Sequence, residues 1–490
     1  MIRLLQVELK KIFKKKSIYI IWGLMFSFCL LNNILYWTDY DDNGNYKYLE
    51  TDNLKEEEIN LKKELEKYNK DNPNEVTMYI TLKSKLDLII LKQQFQNSSW
   101  QYQKINDYLY DNVYQSNYYQ YVEENETELT KLKEEYQTII TKFKDNDYQY
   151  FLNIELQQTI TTQNELKEKY IQETDKKTRQ ELNEQIKANE QTLKILTYRL
   201  KNNIPEDTSY LNIAIKSYQE NYKTVEYYDN LSSKKTYQEK LDYQEAISEL
   251  KISQYIVEHK QNINKQNNLN YNLRTIVEDY EIFIVILTLI ISSSIICEEF
   301  KDGTIKLLLI KPYSRGKILL SKYFASVIVV FISILILIIM QLLIGGIIFS
   351  FESLNIPVIV YDFNKSKLIE YSIFQYMTIR IIAKIPFLLM LITISILLGV
   401  VTGNMIISNT MPLMLYMLNP TLIYLANKYQ LEFMKYLINL NWNLQDFLFG
   451  KLPELSFISF KDSLIILLGY FIIFWILTFR FFKKKNIKNI

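Results

Sequence analysis

His259 is the only histidine among 490 residues, and Cys29 and Cys297 are the only cysteines. Imidazole and thiolate are the commonest general bases, nucleophiles and zinc ligands. A Ser-His-Asp relay would depend on His259 alone, and a His/Cys metal centre would have to gather three residues scattered over the chain. Neither is expected, and His259, in a polar stretch, reads as a surface residue. Two cysteines make no disulfide scaffold. The ten glycines form neither GxxxxGK[ST] nor GxGxxG, the loops whose backbone N–H groups cradle phosphates. The chain is therefore expected to carry no catalytic site, metal or cofactor of its own.

The richest local pattern is residues 297–323, CEEFKDGTIKLLLIKPYSRGKILLSKY. Adjacent acids, Glu298 and Glu299, precede a break at Gly303. Asp302 and Thr304 are capping types for a short apolar helix through Ile305, Lys306 and Leu308, which ends at Pro312 before Arg315 and Gly316. A short capped helix held between two long apolar runs suits an element that enters a groove on a soluble partner. The same residues also suit a basic loop lying on anionic headgroups.

These residues have to be positioned by a membrane domain. A hydrocarbon core of about 30 Å needs roughly 20 mostly apolar helical residues to cross it. Six runs approach that length: 18–37, 280–297, 324–349, 385–402, 405–426 and 463–479. The first follows five lysines but lacks small cleavage-site residues, so it reads as an uncleaved anchor. Lysine and arginine number 17 over residues 1–16, 298–323 and the tail after 479, against eight in the other two loops, 350–384 and 427–462. The positive-inside rule then places both termini in the cytoplasm of a multi-pass cell-membrane protein. Residues 1–16 are amphipathic, with Ile2, Leu5, Leu9, Ile12 and Phe13 toward one side, as an interfacial helix requires.

The overall charge of +2 averages two unlike parts. Residues 39–279 carry 32 basic and 43 acidic side chains, and the remainder carries 25 and 12. The acidic block falls outside the cell in this topology. Its only glycine is Gly44 and its only prolines are Pro73 and Pro205, too few turn residues for a β-sandwich. Leu182, Ile186, Leu193, Leu196 and Leu200 follow a near-heptad seam, and Leu152, Leu156 and Ile160 form a second stripe. Residues 172–181 contain nothing apolar and read as the tip between two antiparallel helices. The expected fold class is all-α: a six-helix membrane domain with a long-helix, coiled-coil-like extracellular domain. That domain is either a receptor, gate or substrate-handling module, with tyrosines such as Tyr110, Tyr114 and Tyr118 as a candidate surface, or a spacer.

Polar side chains inside apolar runs are costly and mark candidates for function. Asn409 and Asn419, near Pro412 and Pro420, line a path or hydrogen-bond a neighbouring helix. Gly345 and Gly346 allow close helix packing. Arg380 and Lys384 are expected to snorkel to the outer interface. Residues 427–462, with Trp442, Phe447 and Phe449, read as short amphipathic helices in the outer headgroup layer.

The run of acids, then GT-I-x-x-L-L, then P-x-S-R-x-x-I-L-x-x-K resembles the loop after the second span in permease subunits of ABC-2 type ABC transporters. It is carried here by Glu298, Glu299, Gly303, Thr304, Ile305, Leu308, Leu309, Pro312, Ser314, Arg315, Ile318, Leu319 and Lys322. The layout of six spans with a large insertion between the first two is similar as well. The resemblance implies a permease that dimerises with a second copy or paralogue and is driven by a separate ATP-binding cassette subunit, which holds the ATP and Mg. It implies that Glu298, Glu299, Gly303, Thr304, Ile305, Lys306, Leu308 and Arg315 form the coupling interface with that ATPase. A hydrophobic or amphipathic cargo is expected, such as an antimicrobial peptide or a lipid-like molecule, with the bilayer as a partner and no nucleic acid. The alternative is a membrane scaffold or receptor with an ABC-2-like membrane region.

Overall fold

Helical spacing dominates the sequence, and the chain folds almost wholly as helices. The computed structural model describes residues 1–40, 50–123, 125–207, 209–231, 235–304 and 313–484. They form two compact units: Met1–Gly44, Leu231–Ser248 and Ile263–Ile490 make the first, and Asn45–Asn230 with Glu249–Asn262 make the second. The acidic block 39–279 therefore does not fold as one body, because residues 231–248 and 263–279 belong to the unit of apolar helices.

The first unit contains α1 (Ile2–Phe13), α2 (Lys16–Asp39), α11 (Leu269–Asp279), α12 (Glu281–Lys301), α13 (Arg315–Phe349), α14 (Ile373–Thr402), α15 (Met405–Met417), α16 (Asn419–Tyr429) and α17 (Phe460–Lys484). The chain between α2 and α11 folds as α3 to α10, all in the second unit except residues 237–248, the first half of α10. Among the described residues, five helices of the first unit, α2, α12, α13, α14 and α17, are long and apolar enough to cross a membrane. Within the unit 67% of the apolar window of α12 and 61% of that of α14 are buried, against 28% for α2 and 11% for α17, so α12 and α14 form its centre. The outer helices expose apolar side chains instead, among them Ile20, Leu24 and Leu31 on α2 and Ile465, Leu468 and Ile476 on α17.

The expected span at 405–426 is divided. α15 ends at Met417 and α16 begins at Asn419, with Pro420 in its first turn. Proline has no N–H to give the preceding turn, and segments of 13 and 11 residues rise about 20 and 17 Å, each short of a bilayer core. The chain is also not purely helical. An antiparallel hairpin, β1 (Val358–Asp362) and β2 (Lys367–Tyr371), runs in register from Val358 opposite Tyr371 to Asp362 opposite Lys367. Gly450 takes φ +70° beside it, and a Cβ at that position would overlap the buried Asp362 carboxylate. The hairpin is followed at once by α14, whose N-terminus is fixed by a capping box between Ser372 and Gln375.

α14 starts twelve residues earlier than the apolar run expected at 385, so Arg380 and Lys384 lie inside a helix. Arg380 is buried and ion-paired with Glu278, and Lys384 Nζ is 2.9 Å from Glu281 Oε2. They do not snorkel, because α11 and α12 supply carboxylates. Within 427–462, Trp442 and Phe449 likewise fold inward, Trp442 meeting Phe387 edge-on at 4.9 Å and Phe449 stacking on Tyr376 at 5.0 Å, whereas Tyr429, Phe433 and Tyr436 are exposed. Short 3-10 turns, Glu432–Tyr436 and Ile438–Leu440, and a single turn at Gln445–Leu448 replace the amphipathic helices expected there.

The second unit comprises α3 (Glu50–Leu65), α4 (Val76–Lys92), α5 (Trp100–Tyr121), α6 (Glu126–Lys144), α7 (Tyr148–Gln172), α8 (Lys176–Asn202), α9 (Tyr210–Asn230) and the second half of α10 (Tyr237–His259). Side-chain caps start several of them, with Ser99, Asn125, Asp147 and Asp175 each accepting from a backbone N–H of the first turn. α7 and α8 reverse at 173–175, inside the expected tip. Ile186 and Leu196 of the expected seam are buried, but midway the hairpin is polar: Asn189 donates to Gln163 Oε1 at 2.7 Å. Trp100, Phe143 and Phe151 form the aromatic centre where α5, α6 and α7 meet.

Candidate functional site

α1 carries one acid, Glu8, four residues from both Leu4 and Ile12, so helical periodicity sets a carboxylate in the middle of an apolar stripe. That stripe is buried within the unit against α12 and α13, with Leu4, Glu8 and Ile12 enclosed and Leu5, Leu9 and Phe13 beside them. Ile2, expected on the same face, is 73% exposed.

Glu8 is buried because α13 brings Lys322 to it. The Lys322 ammonium is fully enclosed, with Glu299 Oε2 at 2.7 Å, Glu8 Oε2 at 3.1 Å and the Ile295 carbonyl oxygen at 3.0 Å. Three oxygens thus surround a group with three N–H donors. Glu299 uses its other oxygen to accept from Lys11 Nζ at 2.7 Å. Lys11 also lies 3.6 Å from Glu8, and Lys15 pairs with Glu298 at 2.8 Å. Burial pulls the Lys11 ammonium down, but the Glu299 and Glu8 carboxylates outweigh it and hold the group above the ordinary lysine value.

The six side chains Glu8, Lys11, Lys15, Glu298, Glu299 and Lys322 alternate in sign and sum to zero charge. An unpaired ion at this depth would be strongly unfavourable, whereas a neutral lattice needs only correct geometry. It joins α1, the last turn of α12 and the second turn of α13. Each carboxylate is held by lysines, so the ion pairs tie the three helices to one another.

Of the expected interface residues, Glu298 and Glu299 belong to this lattice. Gly303 follows the end of α12 with φ +66°, a left-handed conformation suited to glycine, and Thr304 is exposed next to it. Ile305, Lys306 and Leu308 lie outside the described residues. Arg315 is directed elsewhere, donating to the carbonyl oxygens of Phe482 and Lys483 at 3.3 and 2.6 Å and so closing the C-terminal end of α17. Asn409 and Asn419 are not gathered with these groups. Each is half-buried on the divided α15–α16 segment, with a buried Oδ1 that has no hydrogen-bond partner.

A second polar node lies within the apolar helices. Asn33 of α2 and Gln341 of α13 exchange amide hydrogen bonds, Asn33 Nδ2 to Gln341 Oε1 at 3.1 Å and Gln341 Nε2 to Asn33 Oδ1 at 2.9 Å. Asn272 Nδ2 of α11 is a second donor to Asn33 Oδ1, at 3.0 Å. Gly345, one turn after Gln341, makes room for the cluster: a Cβ there would stand 2.7 Å from Leu269 Cδ1 and 3.1 Å from Asn33 Oδ1. Among the described residues, no group of three His, Cys, Asp or Glu side chains is placed to hold a metal ion.

Glu8, Lys11, Lys15 and Lys322 were not singled out from the sequence as members of one site. The usable signal was the single acid on the apolar stripe of α1, which calls for a buried cation from another element.

Residues 247–488 match a family described as a protein of unknown function, DUF2705. The chain is 29% identical over 251 residues to the Bacillus subtilis (strain 168) protein titled uncharacterized protein YhcI, a match that covers 50% of this chain and 77% of that protein. No solved structure matches the chain.

Proposed function

We propose that this chain is the membrane permease subunit of an ATP-driven exporter of the ABC-2 type, working with a separate ATP-binding subunit and a second permease copy or paralogue. The observation that carries the reading is the buried lattice around Lys322. A subunit without nucleotide chemistry has to receive displacement from its partner through a stiff element. Pulling α12 away from α1 and α13 would separate Glu299 from both Lys322 and Lys11 and leave uncompensated buried charge, a cost of about 3–5 kcal/mol in comparable cases. A push on the segment after α12 therefore moves α1, α12 and α13 together.

In this proposal the end bearing α1, the start of α13 and the basic end of α17 is cytoplasmic, in accord with its lysines and arginines, and the acid-rich second unit is extracellular. The apolar outer faces of α2, α13 and α17 suit a hydrophobic or amphipathic cargo that leaves through the membrane domain. The divided α15–α16 segment serves as the part that bends.

The test is purification of the tagged chain in mild detergent from membranes of its own host. An ATP-binding protein is expected to co-purify, and deletion of residues 303–309 is expected to abolish that association while the chain remains in the membrane. If the deletion variant keeps the association, the docking role fails. If the intact chain brings down no ATP-binding protein, the transport reading fails in favour of a scaffold or receptor.

A further inference from the structure

α13 and α17 pack antiparallel where the first begins and the second ends. Arg315 donates to the Phe482 and Lys483 carbonyl oxygens, a Cβ on Gly316 would stand 2.6 Å from the Phe479 ring, and Tyr323 meets Trp475 edge-on at 4.9 Å. Gly316 and Tyr323 therefore mark the line of α13 that touches α17, and Trp475 marks the matching line of α17. A helix turns about 100° per residue, so Lys317 stands about 100° round α13 from Gly316, and Lys483 about 80° round α17 from Trp475. Because the helices run in opposite directions, these two rotations lead to the same side of the seam. Both lysines are exposed, and each heads an apolar stripe at helical spacing: Leu320 and Phe324 follow Lys317, and Ile476 and Ile472 precede Lys483, all four exposed.

Among the described residues neither ammonium forms an ion pair. Lys483 is not drawn back to the end of its own helix, since Arg315 occupies the carbonyl oxygens there. The adjoining sequence, 305–312 and 485–490, adds Lys306, Lys311, Lys485 and Lys488 and no acid. Uncompensated positive charge thus stands at the end of two apolar stripes on helices long enough to cross a membrane.

We infer that the seam of α13 and α17 binds an anionic phospholipid, with its phosphate at Lys317 and Lys483 and an acyl chain along Leu320, Phe324, Ile476 and Ile472. A zwitterionic lipid brings its own ammonium to the same place, so the seam selects for net negative charge. A soluble anion or an acidic protein surface would match the lysines but leave the stripes uncovered. Lipid binding here requires only that α13 and α17 cross a membrane, and no ATP-binding partner.

The experiment is native mass spectrometry of the full chain released from detergent micelles doped with equal amounts of dioleoylphosphatidylglycerol and dioleoylphosphatidylcholine. Preferential retention of phosphatidylglycerol is expected, reduced about fivefold for each lysine removed in Lys317→Gln and Lys483→Gln. Both positions are exposed, and an unchanged melting temperature shows that the double variant is folded. Lys461→Gln, near the opposite end of α17, is expected to leave the preference unchanged. Equal retention of the two lipids by the parent, or a preference that survives the double variant, overturns the inference. So does an equal drop in Lys461→Gln, which would make net charge rather than this seam the cause. Loss of a co-purifying protein from the double variant, with the lipid preference intact, would assign the lysines to a protein surface and overturn it as well.

Discussion

Lys322 Nζ and Glu299 Oε2 lie 2.7 Å apart with Glu8 Oε2 at 3.1 Å on the same ammonium, so α13 joins α12 and α1 through one buried lysine. Removing the lysine alone leaves two carboxylates facing each other out of water. Lys322→Met is expected to destabilise the chain by about 3–5 kcal/mol. Adding Glu299→Gln and Glu8→Gln should restore most of the loss, because a neutral site no longer needs a counter-ion. Melting temperatures in detergent check both, and a Lys322→Met chain as stable as the parent would show that the lattice is not a clamp.

The second unit has its own ion pair, Lys104 Nζ to Glu206 Oε2 at 2.6 Å, with Arg199 Nε 3.7 Å from Glu206 Oε1. Burial pushes the Glu206 carboxyl up, but Lys104 and Arg199 outweigh it and hold it below the ordinary glutamate value of 4.5. A carboxylate lowered on folding contributes stability above its unfolded value and loses it as pH falls through the folded one. Lys104 is held above 10.5 by Glu206 against the opposing effect of burial, so its share is lost as pH rises through its folded value. Amide exchange of the full chain should show α5 and the α8–α9 turn losing protection below about pH 4.5, and Glu206→Gln should flatten that acid limb.

The amide pair Asn33–Gln341 predicts a modest, measurable coupling. Amide hydrogen bonds between membrane helices are worth about 0.6–2 kcal/mol, so a double-mutant cycle of Asn33→Leu and Gln341→Leu should return a coupling in that range from melting data. Gly345→Ala should destabilise by about 1–3 kcal/mol, because its Cβ meets the enclosed Leu269 side chain and the pair itself. A neutral Gly345→Ala would mean that α2 and α13 are free to move apart there.

Periodicity and apolar run length were enough to read α1, the five membrane-length helices, α7 and α8 and the reversal between these last two, but not the individual helices of 50–144 and 210–279. The site was legible only in half. Glu298 and Glu299 stood out as adjacent acids, but their partners come from α1 and α13, and pairing across long sequence separations leaves no local spacing to read. Counting charges as loop residues placed Arg380 and Lys384 outside a helix that in fact buries one and pairs both. The hairpin left little signal, because VIVYD and KLIEY are strands of five residues each, too short for apolar alternation to stand out between two membrane-length runs.

Pro420 leaves the Tyr416 carbonyl without the N–H that a continuous helix would supply, and α15 gives way to α16 at this point. Alanine restores the donor and removes a ring that crowds the preceding turn, so Pro420→Ala is expected to join the two helices and raise the melting temperature, by up to about 3 kcal/mol of added stability. In the proposed exporter this segment bends during each cycle, and a straight helix should resist that bending. Cargo-stimulated ATP hydrolysis by the assembled complex is therefore expected to fall severalfold while the complex itself stays intact. A variant that is more stable yet turns over at the parent rate would show that the break is a packing feature and would remove it from the mechanism.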